Sequence, residues 1–249
     1  MTKLFIPYIM GNKSFIKNMK ILDENGADII EIGVPFSDPV ADGPIIMEAG
    51  NRAIKQGVTI NYIFNELSNN NELSNNKDEI NCKYVLMTYY NIIVSYGEEA
   101  FFKECEKVGV YGVIIPDLPY ELTQKLKHKI SKFDVKVISL ISMTANDDRI
   151  KEIVKHAEGF IYTVTMNATT GKNGTFHPQL KDKLKHLKAH TDIPVVAGFG
   201  IRTKEHIKDL ATVADGVVIG SEIVKRFCQD NNEDTIHYLK QVRETLDTL

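Results

Sequence analysis

Three carboxylates occur in one short stretch, Ile29–Pro44, which reads IIEIGVPFSDPVADGP. Glu31 stands between two isoleucines in an apolar run, whereas Asp38 and Asp42 follow in a segment rich in proline and glycine. Burial would disfavour the charged form of such a glutamate and raise its pKa toward neutrality, which suits proton transfer. The spacing therefore predicts general acid–base chemistry at Glu31. A glutamate that faces solvent at the edge of a strand is the alternative that spacing leaves open.

Eight short apolar runs must position these side chains. Each run is rich in Ile, Val or Tyr and is bounded by Gly, Pro, Asp or Asn, as is typical of buried parallel strands. They cover Leu4–Met10, Asp28–Gly33, Lys83–Met87, Gly112–Pro116, Val135–Ile141, Phe160–Thr165, Pro194–Gly198 and Gly216–Gly220. Segments of helical spacing separate them, with Gly26, Gly109 and Gly159 as helix stops and Asp147 as a helix N-cap.

This alternation predicts an α/β fold, a single (β/α)8 TIM barrel that occupies residues 1–249 as one domain. A barrel of this kind typically needs about 250 residues. An open doubly wound sheet is the structural alternative. In a barrel, the loops at the C-terminal ends of the strands form the active site, and Glu31 lies near that end of the second predicted strand.

Composition excludes several classes of protein. The chain has 30 basic and 33 acidic residues and a net charge of −3, so it lacks the excess of basic residues that is typical of nucleic-acid-binding proteins. Its three cysteines are widely separated, which argues against a zinc site or a disulfide framework. The pair His186 and His190 has no evident third ligand, so we predict no metal site. Without a signal peptide or a long apolar segment, we expect a cytoplasmic protein.

One low-complexity feature interrupts the pattern: residues 65–70 and residues 71–76 both read NELSNN. A duplicated polar hexapeptide predicts a solvent-exposed extension of a helix or loop, where an insertion costs little. The sequence does not indicate any further role for it.

Two glycine-rich turns end the last two predicted strands. Gly198 and Gly200 follow the seventh strand, and Gly220 and Ser221 follow the eighth. Barrels often bind phosphate between these loops, because glycine lets backbone N–H groups approach the anion closely. The small and polar residues of Ala168–Gly174, after the sixth strand, are typical of a mobile lid.

The stretch IIEIGVPFSDPVADGP closely resembles the signature of the tryptophan synthase alpha chain family. The resemblance extends along almost the whole chain. It includes Phe5–Tyr8, Leu86–Asn91, Pro116–Pro119 and the two glycine-rich turns. Because the signature is long and has Pro, Gly and Asp at fixed positions, chance agreement is improbable.

The resemblance implies retro-aldol cleavage of indole-3-glycerol phosphate to indole and glyceraldehyde 3-phosphate, a lyase step in tryptophan biosynthesis. Glu31 would be the acid–base group, and Asp42 would hydrogen-bond the indole N–H. The remaining roles that the resemblance implies are as follows: substrate binding for Tyr8 and Tyr162; phosphate binding for Gly171, Gly198, Gly200, Gly220 and Ser221; lid closure for Thr170; coupling to a partner for Asp38; and an interface position for Asp117.

The family's partner is a β subunit that carries pyridoxal phosphate and receives indole, so we expect an α2β2 assembly and no cofactor in this chain. One departure concerns the lid: Met166 and Asn167 stand where many members have an arginine. Two alternatives remain: another phosphate-binding barrel lyase or isomerase, and a non-catalytic activator of the β subunit. An aldolase would need a Schiff-base lysine at a strand end, and no predicted strand places one convincingly.

Overall fold

The computed structural model describes residues 2–73, 80–142, 144–164, 178–198, 200–201, 203–229 and 231–249. Within these ranges the chain forms nine strand segments separated by helices. The strands are β1 Leu4–Met10, β2 Ile29–Gly33, β3 Lys83–Met87, β4 Gly112–Ile114, β5 Lys136–Val137, β6 Ser139–Ser142, β7 Ile161–Val164, β8 Val195–Gly198 and β9 Gly216–Ile219.

The helices of the described residues follow the strands in a regular alternation. They are α1 Phe15–Glu24, α2 Pro44–Lys55, α3 Ile60–Leu73, α4 Tyr90–Tyr96, α5 Glu98–Lys107, α6 Tyr120–Lys129, α7 Asp147–Lys155, α8 Pro178–Lys188, α9 Lys204–Ala211, α10 Ser221–Phe227 and α11 Asn232–Asp247. Each predicted strand lies within two residues of an observed one, which confirms the α/β alternation.

All pairings in the sheet are parallel, in the order β5-β4-β3-β2-β1-β9-β8-β7-β6. The two terminal segments, β5 and β6, are separated by only one residue, Ile138, so the sheet curls into a nearly closed barrel. The predicted fifth strand is therefore divided. Its first part pairs with β4 and its second with β7, while the Ile138 amide still donates to the Val113 carbonyl at 2.9 Å.

The barrel wall has two apolar layers. Side chains that alternate along each strand point either into the barrel or toward the helices. The inner layer is a cluster of Ile6, Ile29, Val85, Ile114, Ile138, Phe160, Tyr162, Val196 and Val218. The outer layer is a larger cluster in which Ile30 and Ile32 of β2 contact helix residues. Glu31 lies between these two isoleucines on β2, so alternation places it on the inner face with Ile29.

The first strand of the chain pairs with the last. Leu4 to Pro7 of β1 lie opposite Gly216 to Ile219 of β9. Side chains reinforce this closure: Lys3 donates to the Ala214 carbonyl at 2.7 Å, and Arg243 of α11 donates to Asp28 at 3.0 Å. Residues from opposite ends of the sequence thereby hold β1 in place.

The predicted helix ends lie at the expected residues, with one exception. Gly26, Gly109 and Gly159 have φ values of +89°, +80° and +70°, a backbone region that glycine adopts without strain. The predicted cap at Asp147 is wrong by one residue. Asn146 is the N-cap of α7, and its side-chain oxygen accepts a hydrogen bond from the Arg149 amide at 2.9 Å.

The first NELSNN copy, residues 65–70, lies in α3, where Asn65 and Asn69 are exposed and Leu67, which is 1% exposed, packs in the core. The second copy begins in α3, where Asn71 donates to the Val108 carbonyl at 3.0 Å, and residues 74–76 lie outside the described ranges.

No helix in the described residues is long and apolar enough to span a membrane.

Candidate active site

Glu31 is the most deeply buried carboxylate of the site. It is 2% exposed, and it lies opposite Tyr8 of β1 and Val85 of β3 in the sheet. Its Oε2 atom has no hydrogen-bond partner among the described residues. A buried carboxyl oxygen without a partner is costly. Such a group is common where a ligand completes the hydrogen bonding.

Glu31 and Asp42 have different pKa values. Burial, and then the negative charge of Asp42, raise the pKa of Glu31 to about 8. Partial burial raises the pKa of Asp42 to about 6. At pH 7 Glu31 is therefore mainly protonated and Asp42 mainly ionised. Two nearby carboxyl groups with different pKa values can act as proton donor and charged acceptor in one reaction.

Two tyrosines flank these carboxyl groups. Tyr8 and Tyr162 are 3% and 7% exposed, and burial together with the charges of Glu31 and Asp42 raises the pKa of both phenols. Each phenol packs against a glycine at the end of a strand. A Cβ at Gly33 would overlap the Tyr8 hydroxyl, and a Cβ at Gly198 would overlap that of Tyr162. The two glycines therefore leave the space that the tyrosine rings occupy.

Tyr89, after β3, holds the loop that carries Asp42. Its hydroxyl oxygen accepts a hydrogen bond from the Ala41 amide at 3.0 Å, and its ring stacks on Phe36 at 4.7 Å between centroids. The sequence alone predicts no role for Tyr89. The tyrosine pair in the Leu86–Asn91 motif was the available signal, but a contact between residues 48 positions apart leaves no trace in local periodicity.

A cavity of about 410 Å³ opens in front of Glu31. This volume lies within the usual range for small-molecule sites, about 300–1,000 Å³. Its wall is mostly apolar and includes Ile114, Ile138 and Tyr162 from the barrel interior, and Ala41 from the loop that carries Asp42. An aromatic substrate could be enclosed there with Glu31 as the buried carboxyl group of the wall.

The predicted phosphate turns lie at the ends of β8 and β9. Gly200 has a φ of +75°, and a Cβ at Gly220 would lie 3.7 Å from the Cβ of Tyr8. Gly220 thus approaches the barrel residue that lies opposite Glu31. Ser221 is the first residue of α10. Thr170 and Gly171, with the rest of the predicted lid, lie outside the described residues.

The two carboxylates with predicted roles outside catalysis are exposed. Asp38 accepts a hydrogen bond from the Ser37 hydroxyl at 2.7 Å, and Val40 beside it is 77% exposed. Asp117 accepts a hydrogen bond from the Tyr90 amide at 2.9 Å, at the start of α4. No group of three or more His, Cys, Asp or Glu side chains in the described ranges could hold a metal ion.

Comparison with known proteins gives the family. A family model described as tryptophan synthase alpha chain matches residues 1–249. This chain belongs to the tryptophan synthase alpha chain family. It is 98% identical over 249 residues to the tryptophan synthase alpha chain of Staphylococcus haemolyticus, covering 100% of both chains. It is 66% identical over 246 residues to that of Staphylococcus aureus, covering 99% of both.

Solved structures agree with this assignment. The tryptophan synthase alpha subunit of Campylobacter jejuni superposes with a TM-score of 0.84 at 33% identity, covering 97% of this chain and 96% of that one. The subunit from Legionella pneumophila gives 0.88 at 28% identity, covering 99% and 94%. The TIM barrel and the lyase class predicted from sequence are thereby confirmed. Cleavage of indole-3-glycerol phosphate is the known function of the tryptophan synthase alpha subunit, and membership of the family implies a β-subunit partner.

Proposed function

We propose that this chain cleaves indole-3-glycerol phosphate in the barrel cavity, with Glu31 as the acid–base group and Asp42 as the partner of the indole N–H. The observation that carries the assignment is the buried Glu31 carboxyl, which has an unpartnered oxygen and lines a cavity of about 410 Å³. Burial keeps this carboxyl protonated near neutral pH, and a protonated acid is what the first step requires.

The reaction needs one group that first donates a proton and later accepts one. Protonated Glu31 delivers its proton to indole C3, and positive charge develops at the ring nitrogen, where the Asp42 carboxylate stabilises it. The bond between C3 and the glycerol chain then breaks, and its electron pair stays with the indole ring. The adjacent hydroxyl becomes the aldehyde and returns its proton to Glu31. The enzyme is thus restored without a metal or an external base.

The remaining side chains would orient the substrate. Tyr8 and Tyr162 can flank the indole ring, because both lie on barrel strands close enough to Glu31 and Asp42 for those charges to raise their pKa values. The turns containing Gly198, Gly200, Gly220 and Ser221 would bind the phosphate. Thr170 and Gly171 would act in the lid, with Gly171 also contacting phosphate.

Membership of the family supports a β-subunit partner. We propose an α2β2 tetramer in which indole passes to a β subunit that carries pyridoxal phosphate, while this chain has no cofactor of its own. Asp38, in an exposed loop beside Val40, would couple the two subunits, and Asp117 would lie at the interface. We further propose that residues 1–249 form one domain, because the nine strand segments in the described ranges belong to one sheet.

Indole release from indole-3-glycerol phosphate, measured with and without the β subunit, tests this function. We expect a slow rate for the isolated chain and a clear acceleration by the partner. No indole in either case would overturn the lyase assignment for this chain. If the chain then still increased the β-subunit rate, it would be a non-catalytic activator. Turnover of a different sugar phosphate would instead indicate another barrel lyase or isomerase.

We expect a bell-shaped pH dependence of kcat/KM for indole release. Activity requires ionised Asp42 and protonated Glu31, so it should rise as pH passes about 6 and fall as pH passes about 8. Steady-state rates between pH 5 and pH 9 at constant ionic strength would show both limbs. Since the two groups interact, the limbs report the pair and not each residue alone. A rate that kept rising above pH 8 would contradict a protonated Glu31.

Replacing Tyr89 with phenylalanine should lower kcat by roughly three- to tenfold, because loss of the hydrogen bond to the Ala41 amide costs about 1 kcal/mol of loop ordering. The ring keeps its stacking on Phe36, so global stability should change little. Tyr90→Phe is the matched control: it also removes a tyrosine hydroxyl, but that hydroxyl donates to Glu98, whereas the Tyr89 hydroxyl accepts from Ala41 of the loop. Equal effects of the two substitutions on kcat would refute a specific role for Tyr89.

A further inference from the structure

A second cavity, of about 170 Å³, lies between α1, α2 and α10, and none of its lining residues is shared with the barrel cavity. Because a single water occupies about 10–15 Å³ on this scale, the cavity can hold a small molecule of several heavy atoms. It is therefore a separate site in the described structure. Nothing in the proposed reaction uses it.

The charged side chains of this pocket are all cationic. Lys13 and Arg52 line it, and no aspartate or glutamate is among its lining residues. Glu48 reaches Arg52 from outside the pocket at 3.1 Å, and the second guanidinium nitrogen of Arg52 donates to the Cys228 thiol at 3.0 Å. About half of the Arg52 side chain is exposed, so its donors remain accessible to a ligand.

The N-terminus of α1 adds to this positive potential. Ser14 is the N-cap of the ten-residue helix and lines the pocket; its side chain makes no capping hydrogen bond, although the Phe15 amide donates to the Asn12 carbonyl at 3.2 Å. Uncapped N–H groups and the helix dipole favour an anion at this end. The C-terminal ends of α2 and α10 are also nearby, but the Gln56 and Cys228 amides already cap their last carbonyls.

Asn18 supplies the independent observation that points to a ligand. It is 8% exposed, lines the pocket, and its side-chain amide makes no hydrogen bond within the part of the chain that the structure describes. The amide can donate two hydrogen bonds to an occupant of the pocket.

We propose that this pocket binds a small oxyanion, a phosphate or carboxylate group, held by Lys13, Arg52 and the Asn18 amide at the N-terminus of α1. Two cationic side chains, the N-terminus of α1 and the Asn18 side chain border one cavity whose lining includes no carboxylate, with Glu48 paired to Arg52 from outside it and the Lys13 ammonium over the Tyr62 ring. The proposal is independent of the lyase mechanism, because no residue of the pocket has been assigned to the cleavage reaction.

Alkylation of Cys228 provides a readout that does not depend on activity. Cys228 lines the pocket and is exposed, so an occupant should shield its thiol and hold a negative charge beside it. The probes are inorganic phosphate and acetate, with sodium chloride at equal ionic strength as reference. Neutral iodoacetamide labels the full-length chain, and peptide mass spectrometry gives the rate at Cys228. At a probe concentration ten times the dissociation constant, labelling should slow up to about tenfold.

Substitutions test whether protection of Cys228 arises from binding in this pocket. Protection should disappear in Asn18→Leu and in Arg52→Gln, whereas Lys55→Gln, which removes the same charge from α2 outside the pocket, should keep it. Arg52 is half exposed, so Arg52→Gln keeps the test valid if Asn18→Leu does not fold. Protection should also persist in Ser221→Ala, which alters the proposed phosphate turn of the barrel. Absence of protection by both probes, or equal protection in Arg52→Gln and Lys55→Gln, would overturn the proposal.

Discussion

Glu31→Gln should reduce kcat for indole release by at least about a thousandfold, because glutamine can neither protonate indole C3 nor accept the hydroxyl proton. Glutamine keeps the size and the polarity of the side chain, so the barrel cavity and substrate binding should change little. Single-turnover rates with purified chain and β subunit would separate the chemical step from binding.

The same substitution should make the protein more stable at alkaline pH. The pKa of Glu31 rises from 4.5 to about 8 on folding, so the folded state binds this proton more tightly than the unfolded state does. Its contribution to stability is therefore lost as pH rises from about 4.5 toward 8, and each pKa unit corresponds to about 1.4 kcal/mol. Urea unfolding at pH 6 and pH 9 should show a wild-type decrease that is absent in Glu31→Gln.

Glu24→Gln, at the exposed end of α1, is the control for both measurements and should change neither the rate nor the pH dependence of stability. Activity lost together with stability at all pH values would mean that Glu31→Gln disrupts folding. Activity retained by a stable Glu31→Gln protein would refute the acid–base assignment.

Asp42→Asn should lower kcat by about a hundredfold, because a neutral amide stabilises the positive charge at the indole nitrogen much less than a carboxylate does. It should also change the pH profile. The acid limb near pH 6 requires an ionised carboxylate at position 42, so it should vanish in this variant. The alkaline limb should move below about 8, since the Asp42 charge is one of the two causes that raise the pKa of Glu31.

Initial rates across the pH range would test both parts of this expectation. Glu48→Gln removes an exposed carboxylate from α2 and should leave the profile unchanged. If Asp42→Asn kept an alkaline limb at the wild-type pH, then Asp42 and Glu31 would not interact as the structure indicates. If kcat fell a hundredfold while both limbs of the pH profile stayed in place, Asp42 would act by positioning the substrate and not through its charge.

Much of the fold could be read from the sequence, because buried parallel strands are continuous apolar runs with glycine or proline at their ends. Because of the same property, the sequence does not show which way the Glu31 side chain points. When both faces of a strand are apolar, alternation does not reveal which face points into the barrel. The contacts of Ile29 with the inner cluster and of Ile30 with the outer one, together with the cavity that Glu31 lines, establish that Glu31 faces inward.

Other features depended on contacts that no local pattern records. The division of the fifth strand at Ile138 has no turn residue to mark it, since it arises where the two ends of the sheet order meet. The hydrogen bond from Ala41 to Tyr89 joins distant segments. Asn146 and Asp147 are both good caps, and sequence does not separate adjacent candidates.

Closure of the barrel through β1 and β9 has a consequence for the order of synthesis. Leu4 of β1 pairs with Gly216 of β9, so β1 is synthesised long before the strand that completes its hydrogen-bonded ladder. A nascent chain that ends before β9 has an unpaired sheet edge at β1, and such an edge can pair with another chain. Translational pauses late in the message would therefore prolong the aggregation-prone interval more than pauses early in it.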